Sequence, residues 1–262
     1  MIGVLVSGAA GRMGREVVRA VMAEPDLALV GVVDPAHAGE TLGEGSGLVI
    51  AGDLATAIAT TAPDVVVDFT HPSVVEGNIR TVLAAGVDCV VGTTGISQER
   101  LESLADTAPE GTCLFVAPNF AIGAVLMMRF AAEAARHLPH VEIIELHHDR
   151  KADAPSGTAL RTASLIAASR PGVPDAPGKE TEVAEGARGA LVDDVTVHSV
   201  RLPGLVAHQE VIFGGQGQTL SIRHDSIDRT SFMPGVVLAI RSVGARSGLV
   251  VGLEHLMEAS RG

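Results

Sequence analysis

The sequence predicts an α/β chain in two parts: a doubly wound parallel sheet, then a smaller α+β domain with a mostly antiparallel sheet. Three observations carry this. The first 120 residues alternate short, unbroken apolar runs with stretches of helical spacing. Unbroken runs are the pattern of strands buried on both faces, and helices between them imply right-handed crossovers. Pro118-Asn119-Phe120 then interrupts the alternation. Beyond it, two apolar runs meet at Gly214-Gly215-Gln216-Gly217, a hairpin signal.

The elements follow in order. Ile2–Val6 is the first strand and ends at Ser7-Gly8; Met13–Met22 has helical spacing. Leu27–Val33 is the second strand and ends at Asp34. Ala36–Gly47 is polar, carries four glycines and reads as a mobile loop. Leu48–Ala51 is a weak third strand. Val65–Phe69 is a fourth, with helical spacing from Val74 to Leu83 behind it. Val87–Val91 and Cys113–Val116 are the fifth and sixth. Ala121–His137 forms a long helix, Val141–His148 a strand, and Ser156–Ser169 a helix with Ser156 near its N-cap. Pro171–Gly189 lacks periodicity and reads as a long loop. Val195–Val200, Ala207–Phe213 and Gln218–His224 are strands, and Phe232–Val243 is a helix that could pack on either domain.

Composition excludes several classes. Among 262 residues, 47% are hydrophobic and 2% aromatic, with no Trp or Tyr. Global disorder is excluded, and so is a short-chain dehydrogenase mechanism, which needs a catalytic Tyr. A net charge of −12 argues against nucleic acid or an anionic membrane as partner. No apolar run approaches the ~18 residues that span a bilayer, and the N-terminus lacks a signal peptide's charged segment. A cytoplasmic location is expected. Cys89 and Cys113 lie in apolar runs and read as buried, reduced thiols. Neither has metal-ligand spacing, so no metal is expected.

Gly8-Ala9-Ala10-Gly11-Arg12-Met13-Gly14 joins the first strand to the first helix. Glycine permits the tight turn, and helix-start amides can approach a pyrophosphate. The spacing is G-x-x-G-x-x-G, with Ala9 where the usual G-x-G-x-x-G fingerprint has its first glycine. Asp34 ends the second strand, 20 residues after Gly14, where a carboxylate accepts from a ribose diol. It should repel a 2′-phosphate. Pro35 follows it, so no cation comes next; Arg12 and Arg15 are the nearby cations that could compensate. Gly92-Thr93-Thr94-Gly95 and Ala117-Pro118-Asn119-Phe120 end two further strands and would flank a nicotinamide. His71, after Phe69-Thr70, reads as a helix-start residue rather than a catalyst.

Glu145-Leu146-His147-His148-Asp149-Arg150-Lys151-Ala152-Asp153-Ala154-Pro155-Ser156-Gly157-Thr158 is the densest cluster of ionisable groups. It runs off a strand, through a loop, into a helix start. Ser156, Gly157 and Thr158 can present amides and hydroxyls to a carboxylate. Arg150, Lys151 and two histidines add donors, which suits a dianion. His147, His148 and Lys151 offer proton transfer near neutral pH.

This segment resembles the signature of the dihydrodipicolinate reductase family, roughly E-x-H-H-x-x-K-x-D-A-P-S-G-T. Val67-Asp68-Phe69-Thr70-His71-Pro72, Gly92–Gly95, Ala117–Gly123, Arg223-His224-Asp225-Ser226 and the unusual glycine spacing of Gly8–Gly14 resemble family blocks as well. The resemblance implies NADH- or NADPH-dependent reduction of a cyclic imine dicarboxylate, 4-hydroxy-tetrahydrodipicolinate, in diaminopimelate and lysine synthesis. By position, His147 resembles the general acid/base and Lys151 the proton donor. Lys151 also counts among the substrate contacts, with His148, Ser156, Gly157 and Thr158. Gly8, Ala9, Ala10, Gly11, Arg12, Met13, Asp34, Gly92, Thr93, Thr94, Ala117, Pro118, Asn119 and Phe120 resemble cofactor contacts. The resemblance further implies a homotetramer through the second domains and a last helix returning to the first. The expected domains are 1–121 with 231–262 for dinucleotide binding, and 122–230 for substrate binding and oligomerisation. Hinges are expected near Ala121 and Ser231.

Two departures stand out: Arg150 replaces a histidine of many members, and Pro35 replaces an arginine of some. Two rivals remain on the residues alone. An aspartate-semialdehyde-type dehydrogenase would need a nucleophilic cysteine. A non-catalytic NAD sensor would not need His147 and Lys151.

Overall fold

A computed structural model describes residues 1–43, 45–173 and 181–257. The chain forms two compact units, Met1–Phe120 with Phe232–Gly262, and Ala121–Ser231.

The first unit begins β1 (Ile2–Ser7), α1 (Arg12–Ala23), β2 (Leu27–Val33), α2 (Leu54–Thr61), β3 (Val65–Asp68), α3 (Val75–Ala84), β4 (Asp88–Val91), α4 (Gln98–Ala105), β5 (Cys113–Val116). The unbroken runs fold as expected: β3 and β5 are buried at every position. A buried strand has no polar face to show water, so a helix must cover each side. The caps of the two helices that the periodicity leaves unmarked are local: Asp53 accepts from the Thr56 amide at 2.8 Å, and Ser97 from the Arg100 amide at 3.3 Å.

The second unit takes α5 (Ile122–Ala135), β6 (His140–His147), α6 (Gly157–Ser169), β7 (Ala190–Val192), β8 (Val195–Arg201), β9 (Ala207–Gly215) and β10 (Gln218–Ser226). The first unit then closes with α7 (Met233–Val243), β11 (Gly248–Val251) and α8 (Glu254–Met257).

The first sheet runs β11-β5-β4-β3-β1-β2, every pair parallel. Sequence order reverses about β1, so the loops after β1 and β3 flank the switch point where such sheets hold ligands. This is the doubly wound, Rossmann-like sheet that the sequence predicts. One strand is corrected. Leu48–Ala51 makes only isolated bridges, Val33 with Ala51 and Thr41 with Val49; Gly52 and the Asp53 cap turn the chain away before a ladder forms. One strand is added, β11, whose four residues follow a helix too closely to stand out.

The second sheet runs β10-β9-β6-β8-β7. Three pairings are antiparallel and β6 with β8 is parallel, so the sheet is mixed. β9 and β10 form the expected hairpin, with Gly217 at φ +70° in its turn. β7 is unexpected from sequence. Its two-residue turn to β8 holds Asp193 and Asp194 at φ +48° and +60°, a conformation that Asp tolerates better than most residues. Part of the expected Pro171–Gly189 loop, residues 174–180, lies outside the described residues.

Candidate active site

In the first unit the strand ends converge. Gly8 sits at φ +79°, and a Cβ there would lie 2.5 Å from the Phe69 carbonyl oxygen. A Cβ on Gly14 would lie 2.0 Å from the Gly8 carbonyl oxygen. Both glycines are therefore required by close backbone approach. Gly11 caps α1 without a side-chain bond, and no acid occupies the first turn. The amides of that turn have no intrahelical partner, which suits a phosphate.

Asp34 bridges two segments: Oδ2 accepts from the Ala10 amide and Oδ1 from the Ala36 amide, each at 3.2 Å. Its carboxylate thus stands beside the glycine turn with lone pairs to spare. A cavity of about 230 Å³ opens among Met13, Phe69, Thr70, Gly92, Thr93 and Thr94. Asp68, buried, pins two of its walls: Oδ1 accepts from Thr70 Oγ1 at 2.7 Å and Thr93 Oγ1 at 3.1 Å. Asn78 Nδ2 donates to its Oδ2 at 2.7 Å. The side chain of Phe120 is buried and braces Phe69 at 5.6 Å and Phe115 at 5.9 Å. Ala117 is buried, while Pro118 is exposed. His71 bonds Ser73 at the entry to α3, as a helix-start residue would.

In the second unit the site grows out of β6. Side chains alternate along a strand, so Glu145 and His147 share a face. Parallel pairing with β8 sets Arg201 beside His147. Glu145 is fully buried, and its Oε2 lies 2.5 Å from His147 Nδ1. Arg201 clamps both carboxylate oxygens, at 2.7 and 2.9 Å. The loop then turns back through a cis Ala154–Pro155 peptide to Ser156, whose amide donates to Glu145 Oε1 at 3.3 Å. Ser156 Oγ caps α6 by accepting from the Ala159 amide at 3.2 Å. Lys151 Nζ donates to both oxygens of Asp153 at 2.8 Å. His148 Nδ1 is buried with no hydrogen-bond partner among the described residues. Gly157 is exposed and Thr158 half-buried at the helix start. Asp149 and Arg150 are exposed.

The family models for the two halves of one enzyme divide this chain between them. "Dihydrodipicolinate reductase, N-terminus" matches residues 2–120, and "Dihydrodipicolinate reductase, C-terminus" matches residues 123–257. The chain belongs to the dihydrodipicolinate reductase family. A 4-hydroxy-tetrahydrodipicolinate reductase of Mycobacterium sp. (strain KMS) is 53% identical over 260 residues, covering 98% of each chain. One from Moorella thermoacetica is 53% identical over 263 residues, again covering 98% of each. The solved structure "Dipicolinate bound Dihydrodipicolinate reductase from Paenisporosarcina sp. TG-14" has a TM-score of 0.85 at 46% identity, covering 97% of this chain and 99% of that one. The chain is accordingly an oxidoreductase of diaminopimelate and lysine biosynthesis with a nucleotide-binding, Rossmann-like domain. Among the described residues, no helix is long and apolar enough to cross a membrane.

The electrostatics of this reductase single out the same cluster. Burial draws the His147 pKa below its ordinary value; Glu145 opposes this, while Lys151 and Arg201 reinforce it. Burial pushes the Glu145 carboxyl up, but hydrogen bonds from Arg201, Ser199 and His147 outweigh it and leave the pKa lowered. Lys151 holds Asp153 below the usual carboxylate range. Burial pushes the Cys113 thiol up to about 11 and raises Cys89 too, so neither yields a thiolate near neutral pH. The cysteine-dependent rival thus lacks its nucleophile.

Two residues of the cluster, Glu145 and Arg201, are not among the expected site residues. Glu145 opens the E-x-H-H segment, and its i, i+2 spacing to His147 is the local signal for it. Arg201 lies 56 positions from Glu145, and nothing local announces it.

Proposed function

We propose that the chain reduces 4-hydroxy-tetrahydrodipicolinate with NADH or NADPH, His147 and Lys151 handling the proton. The observation that carries the assignment is the His147 imidazole, bound through Nδ1 to a buried carboxylate on the strand that leads into the Lys151 loop. An ionised Glu145 can only accept, so Nδ1 carries the hydrogen. Nε2 is then the nitrogen free to exchange a proton.

The reaction removes water from ring C4, adds a hydride and adds a proton at the neighbouring carbon. When bound, the reduced nicotinamide supplies the hydride. The chain supplies the rest. Electron density builds on a conjugated imine, and a cation near it lowers the barrier. Lys151 is that cation: Asp153 holds it here, and a substrate carboxylate is of the same chemical kind. The unsatisfied His148 Nδ1 and the α6 start at Ser156, Gly157 and Thr158 are suited to a carboxylate.

Gly8, Ala9, Ala10, Gly11, Arg12 and Met13 would hold the pyrophosphate, and Asp34 a ribose diol. Gly92, Thr93, Thr94, Ala117, Pro118, Asn119 and Phe120 are assigned to the nicotinamide side. The glycine turn, where a Cβ on Gly8 or Gly14 would run into backbone, and the uncapped α1 start support this. Asp34 repels a 2′-phosphate, so NADH should serve at least as well as NADPH. A kcat/KM ratio strongly favouring NADPH would refute that. The first unit is proposed as the dinucleotide-binding domain, the second as the substrate-binding and oligomerisation domain. Cytoplasmic residence and a homotetramer complete the reading, the latter checked by light scattering.

The deciding experiment follows NADH or NADPH oxidation with enzymatically generated 4-hydroxy-tetrahydrodipicolinate. Oxidation that depends on this compound is expected. A folded, cofactor-binding chain that oxidises neither cofactor would overturn the reading.

A further inference from the structure

Glu145 is a buried carboxylate that the proton chemistry above does not consume. It accepts from Arg201 Nη2 at 2.7 Å and the Ser156 amide at 3.3 Å on Oε1, from Arg201 Nη1 at 2.9 Å and His147 Nδ1 at 2.5 Å on Oε2, and from the Ser199 side chain. The same guanidinium donates to the Asp153 carbonyl at 2.8 Å and the Val200 carbonyl at 2.8 Å. Its Nε is buried with no partner among the described residues. Burying a carboxylate against a half-buried guanidinium is costly, and a well-packed apolar pair of similar volume is often no less stable. A role beyond stability therefore fits this arrangement better.

The geometry points to Glu145 and Arg201 as a positioning pair that fixes the tautomer and ring orientation of His147 and ties the Lys151–Asp153 loop to the end of β6. This inference rests on the reading of His147 as the proton-exchanging residue. Arg201 fixes both carboxylate oxygens, so Oε2 must face the imidazole. A carboxylate has no hydrogen to offer, so the ring must present its own at Nδ1 and leave Nε2 bare. Through the Asp153 carbonyl, the same arginine sets the backbone of the residue that holds Lys151 Nζ. One ion pair thus registers both residues of the proton chemistry.

Glu145→Gln reads the effect directly. Arg201 will still demand an oxygen, so the new amide group turns its NH₂ toward Nδ1. The ring must then accept there and move its hydrogen to Nε2. Two measurements follow: long-range ¹H–¹⁵N correlation on histidine-labelled protein, with the His147 signal assigned by its loss in His147→Gln, and steady-state kinetics. The wild type should show the Nδ1–H tautomer. Glu145→Gln should show Nε2–H and a kcat lower by about 10²-fold or more, with KM for NADH within about twofold. Glu145→Asp, which keeps the carboxylate, should keep the tautomer and recover most of kcat.

Should Glu145→Gln fail to fold, with the half-buried Arg201 left against a neutral partner, Glu145→Gln with Arg201→Met removes both charges. With the arginine gone nothing fixes which way the amide faces, so the double variant is expected to lose the single Nδ1–H tautomer for a mixture of the two and to lose kcat to a similar degree. A purely wild-type tautomer in folded Glu145→Gln, or wild-type turnover by whichever of the two variants folds, overturns the inference. The underlying reading fails separately: it falls if His147→Gln itself turns over at the wild-type rate.

Discussion

The two units build their sites from different material. In the first, backbone does the work: Gly8 and Gly14 let two chain segments touch, the α1 start presents amides, and the Asp34 carboxylate accepts from main-chain nitrogens. In the second, side-chain charge does it: Glu145 pairs with Arg201 and Lys151 with Asp153, and His147 hydrogen-bonds Glu145, all near one strand end. A backbone site tolerates many side chains and few changes of shape. A charge site tolerates many shapes and few changes of proton inventory. The contrast suits a cofactor that must be held and a substrate that must be protonated.

The largest effects should come from the charge site. His147→Gln and Lys151→Ala are each expected to lose most of kcat, of order 10²–10⁴-fold, because each removes a proton-handling group. NADH affinity, which the proposed function assigns to the other unit, should stay within about twofold of wild type by direct titration. Wild-type turnover by both variants would sink the assignment. Loss of NADH affinity in both would show that the two sites are less separate than their chemistry suggests.

Gly14→Ala tests the backbone site. The added Cβ would lie 2.0 Å from the Gly8 carbonyl oxygen, a contact that no rotamer change relieves. Overpacking of this kind costs about 1–3 kcal/mol, so NADH should bind roughly 5- to 150-fold more weakly or the first unit should melt earlier. Gly11→Ala is the control. Its Cβ meets the same oxygen at 3.1 Å, which a few tenths of an ångström relieves. Equal effects of the two substitutions would argue that the turn moves freely.

The same contrast decides what was legible beforehand. β1 to β5 were readable because strands buried on both faces leave unbroken apolar runs, and Gly8–Gly14 because steric need for glycine is local. The signature from His147 to Thr158 was readable because its residues are contiguous. Arg201 was not, since it reaches His147 only through the β6–β8 register. β11 was hidden by its four-residue length, and β7 by exposure: Ala190 and Leu191 are exposed and carry no burial pattern. Leu48–Ala51 misled in the other direction. Only Ala51 bridges the sheet, to Val33, and Val49 bridges Thr41 instead; hydrophobicity alone does not separate such a segment from a strand.

The smallest effect expected is a difference in acid sensitivity. In the second unit, burial lowers the pKa of His147 and of His224. An unfolded chain takes up these protons near the ordinary histidine value of about 6.5, whereas the folded unit resists them until lower pH. Stability is therefore full above about pH 6.5 and declines as pH falls toward the depressed folded values. Glu145 is lowered as well, so its contribution stands above about pH 4.3 and is lost below that. In the first unit Asp88, raised by burial, works the opposite way: its protonation favours the folded form. Hydrogen exchange at pH 7.5 and 5.5, corrected for intrinsic rates, should show β6 and β10 losing protection while β3, β4 and β5 keep theirs. His147→Gln should remove part of the loss at β6. Equal loss in both units would place the acid-sensitive groups elsewhere than at the charge site.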